Sequence, residues 1–316
     1  MKTMSEKIAT REAYGKALVE FGAVYDNLVV LDADLAAATK TGMFKKAYPN
    51  RFFDCGIAEN NMIGVAAGLS LSGMIPFASS FAMFAAGRSY EQIRNSVGYP
   101  HLNVKIGATH GGITVGEDGA THQCLEDFAL MRVIPGMTVI CPADAVEARL
   151  AVKAAIEMNG PVYLRFGRMA VPVIYDDSYS FKIGKGTKLV DGTDVSIIAN
   201  GVEVAQALAA AEQLKADGIS ASVINMATIK PIDRELVIEE ARRTGCIVTC
   251  EEHSVIGGLG GAVCGVVSES CPVPVMRVGS DDCYGRSGPA SELLGLFGMD
   301  SAAIVEKAKA AVAAKG

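Results

Sequence analysis

The sequence predicts an α/β protein built from two doubly wound domains. Short apolar runs rich in β-branched residues alternate with helical patterns along nearly all of the 316 residues. Those runs carry apolar residues at consecutive positions, the mark of strands buried on both faces of a parallel sheet. The alternation also breaks once, over 171–188, and then resumes. A chain of this length has room for about two domains.

In the first domain, residues 1–170, strands are expected over 28–31, 52–55, 75–79, 104–108, 138–141 and 162–166. Helices are expected between most of them, at 58–72, 84–97 and 143–158. The last is best marked, with Pro142 at its start and Gly160 at its end. Pro172, Asp176, Asp177, Gly184 and Gly186 make 171–188 the linker. The second domain, 189–316, reads as strands over 195–199, 221–225, 247–250 and 275–278. Its helices are expected over 202–217, 233–244, 261–270 and 301–314.

Residues 60–87 form 28 consecutive positions without a formal charge. A membrane span needs about 20 predominantly apolar residues in one helix. Gly64, Gly68, Gly73 and Pro76 interrupt this run, which therefore reads as helix, turn and buried strand. Residues 1–16 have no apolar core of their own, so no signal peptide is expected. A formal net charge of −6 and a pI near 5.4 argue against a nucleic-acid surface. Eight cysteines without a C-x-x-C pair or zinc spacing suit a reducing cytoplasm, most of them as buried free thiols.

Glu59 stands at the edge of the uncharged run, where burial would raise its pKa and suit it to proton donation. Phe81 and Phe84, three apart, would share a face of one helical turn. His110, Asp118 and His122 lie on a Gly-rich stretch after a predicted strand, at the carboxyl end of the sheet where α/β sites form. Their spacing is a poor zinc pattern, and no metal site is expected. Gly257, Gly258, Gly260 and Gly261 lack the Lys-Ser/Thr of a phosphate loop and read as a tight loop opening a helix.

The succession GIAENNM, SSFAMFAAGRSYEQIR, ATHGGITVGEDGATHQ, VICPADAVEA and PVYLRFGR resembles the pyrimidine-binding domain of transketolases. GTDVSIIANGVEVAQAL, INMATIKPID and EEHSVIGGLGGAV resemble the transketolase C-terminal domain. The chain has no Gly-Asp-Gly triplet, the start of the family's diphosphate motif, so it is similar to the C-terminal subunit of a split transketolase. The resemblance implies thiamine diphosphate as cofactor, with Mg²⁺ held by a separate N-terminal subunit. Glu59 would hold the proton at pyrimidine N1′, Phe81 and Phe84 would line the ring's pocket, and Asp34 would be an interface acid near the cofactor. His110, Arg11 and Arg168 would bind the phosphate of a sugar, and Asp118 the hydroxyl beside its carbonyl. His122 would lie beside the reacting carbons and move protons.

Two departures from the family stand out: Ala38 where a phosphate-assisting serine is usual, and Gly87 where a third aromatic often follows. The resemblance implies transfer of a two-carbon ketol unit between phosphorylated sugars, in a self-associating assembly such as a heterotetramer. Three alternatives share the architecture: the β subunit of a 2-oxoacid dehydrogenase E1, a deoxyxylulose-phosphate synthase half, and a regulatory paralogue without activity. The set His110, Asp118 and Arg168 speaks against the first, His110 against the second, and Glu59 against the third.

Overall fold

The computed structural model describes residues 6–315. The reading of the chain's start rests partly on residues 1–5, which lie outside them. Among the described residues seven strands make the first sheet, in the spatial order Thr228–Lys230, Thr138–Ile140, Val162–Phe166, Lys105–Thr109, Ile75–Phe81, Leu28–Asp32 and Phe52–Asp54. All neighbours pair in parallel except the first strand, which is antiparallel. A second sheet runs Val275–Ser280, Ile247–Ser254, Val195–Ala199, Ala221–Asn225 and Thr187–Val190, parallel but for the last. The predicted class therefore holds. Leu28–Asp32, Ile75–Phe81, Lys105–Thr109 and Val162–Phe166 are buried at every position, which is why their sequences show no polar alternation.

Some short strands escaped the sequence reading. Lys7–Ala9 pairs antiparallel with Ala170–Pro172, tying the start of the described chain to the end of the first sheet's run. Thr228–Lys230, from the second half, crosses over to edge the first sheet beside Thr138–Ile140. Three residues are too few to show a period.

The uncharged run divides into the helix Glu59–Leu71 and the strand Ile75–Phe81, followed by a π-helical turn Met83–Arg88. No helix among the described residues is long and apolar enough to cross a membrane. The helix expected over 84–97 is instead two π-helical segments, Met83–Arg88 and Ile93–Gly98, around the short α-turn Tyr90–Gln92. Such wide turns re-aim side chains and concentrate at functional sites. Of the eight free cysteines, only Cys124, Cys141, Cys246 and Cys250 are buried, fewer than expected.

Asp144 shows how the halves are joined. It caps the helix Ala145–Glu157 by accepting from Glu147 N at 2.8 Å, and its other oxygen accepts from Ile174 N and Tyr175 N. Glu147 is buried in the same joint, where Asn225 Nδ2 and Tyr179 Oη donate to it. Burial pushes its carboxyl up to about 7.

Candidate active site

The strands Leu28–Asp32, Ile75–Phe81 and Lys105–Thr109 end side by side, with Asp32 opposite Ser79 and Phe81 opposite Thr109. Their carboxyl edge collects the predicted residues. Phe81 closes its strand and Phe84 sits on the following π turn, so they do not share the helical turn expected. Their rings nevertheless stack, 5.8 Å between centroids and 13° between planes. His110 also stacks on Phe81, 3.8 Å between ring centroids, and His122 meets Phe84 edge-on at 5.3 Å. Met83 takes the place of the missing third aromatic: a Cβ on Gly87 would run into Met83 Cε.

Glu59 begins its helix and is only 2% exposed. The expected apolar setting needs correction, because Arg88 Nη1 donates to both its carboxylate oxygens at 3.0 Å. The same guanidinium lies 4.8 Å over the Phe84 ring, and its side chain is 51% exposed. Arg88 went unnoticed in the sequence because 29 residues separate it from Glu59. Its one signal was position: it is the first charge after the uncharged run.

His110 adopts a left-handed backbone, φ 56°, which turns its ring back over Phe81. Arg11 Nη1 approaches His110 Nε2 at 2.8 Å, and Thr109 Oγ1 lies 2.9 Å from Nδ1. Arginine only donates, so Nε2 accepts and the proton sits on Nδ1. Burial, reinforced by Arg11 and Arg168, pushes the imidazole from its ordinary 6.5 down to about 3. Burial and Arg168 likewise push the Arg11 guanidinium down. Arg168 itself pairs with Glu117 at 2.9 Å and donates to Val115 O. Lys40 adds a further positive charge beside His110, balanced by Glu12 at 3.5 Å. Like charges gathered around a neutral imidazole make a seat for an anion.

The depressed His110 value has a consequence for stability. Between pH 6.5 and 3 the unfolded chain binds a proton at this site that the native chain refuses. The contribution is complete above 6.5 and is lost as pH falls towards 3. The urea midpoint of the wild-type protein is expected to fall more steeply over that window than that of His110→Gln.

Two family models cover the chain: "Transketolase, pyrimidine binding domain" over residues 6–173 and "Transketolase, C-terminal domain" over residues 184–304. The chain belongs to the transketolase family. It is 53% identical over 300 residues to a putative transketolase C-terminal section of Methanocaldococcus jannaschii, covering 94% of each chain. It is 39% identical over 313 residues to the transketolase of Mus musculus, covering 98% of this chain but 50% of that one. A solved structure titled "Split gene transketolase, inactive beta4 tetramer" superposes with a TM-score of 0.92 at 55% identity, over 98% of this chain and all of that one. The transketolase family uses thiamine diphosphate.

Against that family background, the remaining predicted residues sit at the edge of the site. Asp118 is exposed at the end of the 3₁₀ segment Ile113–Asp118, four residues before His122. Asp34 is exposed with φ 61°, and its N–H donates to Asp54 Oδ1. Its neighbour Asp32 is the buried acid, accepting from Leu35 N, Thr39 Oγ1 and Thr41 Oγ1 to shape the loop. The glycine-rich stretch near 257–261 does open a helix, Leu259–Ser270, whose first N–H groups are taken by Glu251.

Proposed function

We propose that this chain is the C-terminal half of a split, thiamine-diphosphate-dependent transketolase that moves a two-carbon ketol unit between phosphorylated sugars. The observation that carries this reading is the convergence, on one sheet edge, of a buried acid, stacked aromatic rings and two histidines beside gathered cations.

The residues present suit the pyrimidine end of the cofactor. Phe81 and Phe84 offer ring faces, and Glu59 is an acid shielded from water at their side. When bound, the cofactor supplies the stabilised carbanion chemistry; the protein orients it and controls its protons. Glu59 would hold the proton at the pyrimidine N1′, and Arg88, half exposed, has room to turn aside for that ring. His122 would give and take protons at the substrate oxygens, Asp118 would bind the hydroxyl beside the carbonyl, and Asp34 would face the partner near the cofactor.

The metal and diphosphate end is assigned to a separate N-terminal subunit that supplies the Mg²⁺ ligands. The helix Glu59–Leu71 turns Val65 and Leu71 outward, and Ile57 before it is 75% exposed, so copies of this chain would meet there in a cytoplasmic heterotetramer. Ketol transfer by the reconstituted pair, with a phosphorylated ketose and an aldose, is the direct test. Decarboxylation of a 2-oxoacid in its place would favour the dehydrogenase alternative.

Arg11, His110 and Arg168 would bind the sugar phosphate, with Arg168 exchanging Glu117 for it. Arg168→Ala is expected to raise KM for phosphorylated sugars roughly tenfold or more, as losing a charge-assisted hydrogen bond implies. Unphosphorylated hydroxy-aldehydes should be little affected. Equal effects on both classes would remove Arg168 from the phosphate site.

A further inference from the structure

The second domain contacts the loop that carries Asp118 and His122. Gln123, next to His122, is buried, and its Nε2 faces three carbonyl oxygens. Two belong to the loop, Ile113 O at 3.0 Å and Gly116 O at 3.3 Å. The third is Arg286 O at 2.9 Å, 163 residues away in the second domain. A glycine-rich loop is thus tied by the Gln123 side chain to a different folding unit.

Other contacts close the clamp. Glu252 accepts from Thr114 N at 2.5 Å, and Ser254 N donates to Leu125 O at 2.7 Å. Two glycines permit the close approach. Gly119 has φ +75°, and a Cβ there would run into Ser287 Oγ. A Cβ on Gly285 would run into Gln123 Oε1. Gly285 does not have a positive φ, so alanine there meets no left-handed backbone penalty and acts on the Gln123 side chain.

We propose that Gln123 is a positioning residue for ketol transfer: it ties the His122 loop to the Arg286 carbonyl, so that the C-terminal domain sets the aim of His122. The inference rests on the function proposed above. His122 itself is held locally, by Thr121 Oγ1 at 2.9 Å from Nδ1 and by the Phe84 ring, and these contacts orient the ring only if the backbone beneath it is fixed. Its N–H and that of Gln123 both donate to Gly119 O, so displacement of the Gln123 amide moves the turn that carries the imidazole. A C-terminal domain without a reacting group thereby acts on the reaction.

The test is kinetic, on the reconstituted two-subunit enzyme. Gln123→Met keeps the side chain's volume and removes the donor; Gly285→Ala disturbs the same amide from the other domain. Each is expected to lower kcat about 10–100-fold, the cost of misplacing a group by an ångström or less. KM for the ketose and the cofactor's Kd should stay within about threefold of wild type, the split that marks a defect in the chemical step. A fall in thermal stability with kcat unchanged in both variants would make the tie a structural anchor and overturn the proposal. His122→Ala, measured in parallel, separates the two levels of inference. If His122→Ala retains turnover, the functional reading of the site is at fault; if it abolishes turnover while both variants are unimpaired, only the positioning role is.

Discussion

Glu59→Ala is expected to fold normally and to cut turnover of the assembled enzyme by at least roughly 10²–10⁴-fold, the usual worth of general acid–base help. The carboxyl is 2% exposed at the start of the helix Glu59–Leu71, within a cluster whose rings suit a flat heterocycle. Asp32 is not free to replace it, being spent on Thr39, Thr41 and Leu35 N, and Asp118 is on the exposed loop. Folding should survive because the partner left behind is half exposed. Arg88 loses its ion pair to Glu59, but water can solvate the guanidinium, so the heavy penalty of an orphaned buried charge does not arise. Thermal midpoint and single-turnover rate on the same preparation check both halves of the expectation. A folded variant with near-normal turnover would show that Glu59 is no part of the chemistry.

The second large effect is all-or-none: the purified chain alone should neither transfer a ketol unit nor hold thiamine diphosphate at micromolar concentrations. In the proposed function Glu59, Phe81 and Phe84 would serve the ring end, which is neutral or nearly so. Most of the cofactor's charge lies on its diphosphate, which Mg²⁺ neutralises through carboxylate, carbonyl and water ligands. The sequence has no Gly-Asp-Gly triplet, and among the described residues no group of three or more His, Cys, Asp or Glu is placed to hold a metal. Ring stacking is worth on the order of 1 kcal/mol beyond the area buried. A micromolar Kd requires roughly 8 kcal/mol, so stacking and burial of one small ring leave much of it to the diphosphate end. Titration calorimetry with thiamine diphosphate and Mg²⁺ decides the matter. Micromolar binding and transfer without a second polypeptide would overturn the split arrangement.

Much of this was legible in the sequence. The strands Leu28–Asp32, Lys105–Thr109 and Val162–Phe166 lie within a residue of their expected bounds, because continuous apolar runs are a local property that burial on both faces demands. The Gly-rich loop with His110, Asp118 and His122 was legible for a similar reason, since its residue types report backbone freedom directly. The helix expected over 84–97 failed because apolar periodicity does not distinguish an α-turn from a π-turn that fits one more residue in the same space.

The sequence by itself determined the two α/β sheets, the longer helices that flank them and a set of candidate residues near one sheet edge. Only the tertiary structure decided how those residues act on one another. Arg88 on Glu59, Arg11 on His110, Gln123 on Arg286 and the strand Thr228–Lys230 on the first sheet join positions 29 to 163 residues apart. Periodicity carries information over a turn or a pleat, a few residues at most. Pairs at such separations are chosen by which surfaces remain to be covered once the sheets have formed, and by the hydrogen-bonding groups that burial leaves to be satisfied.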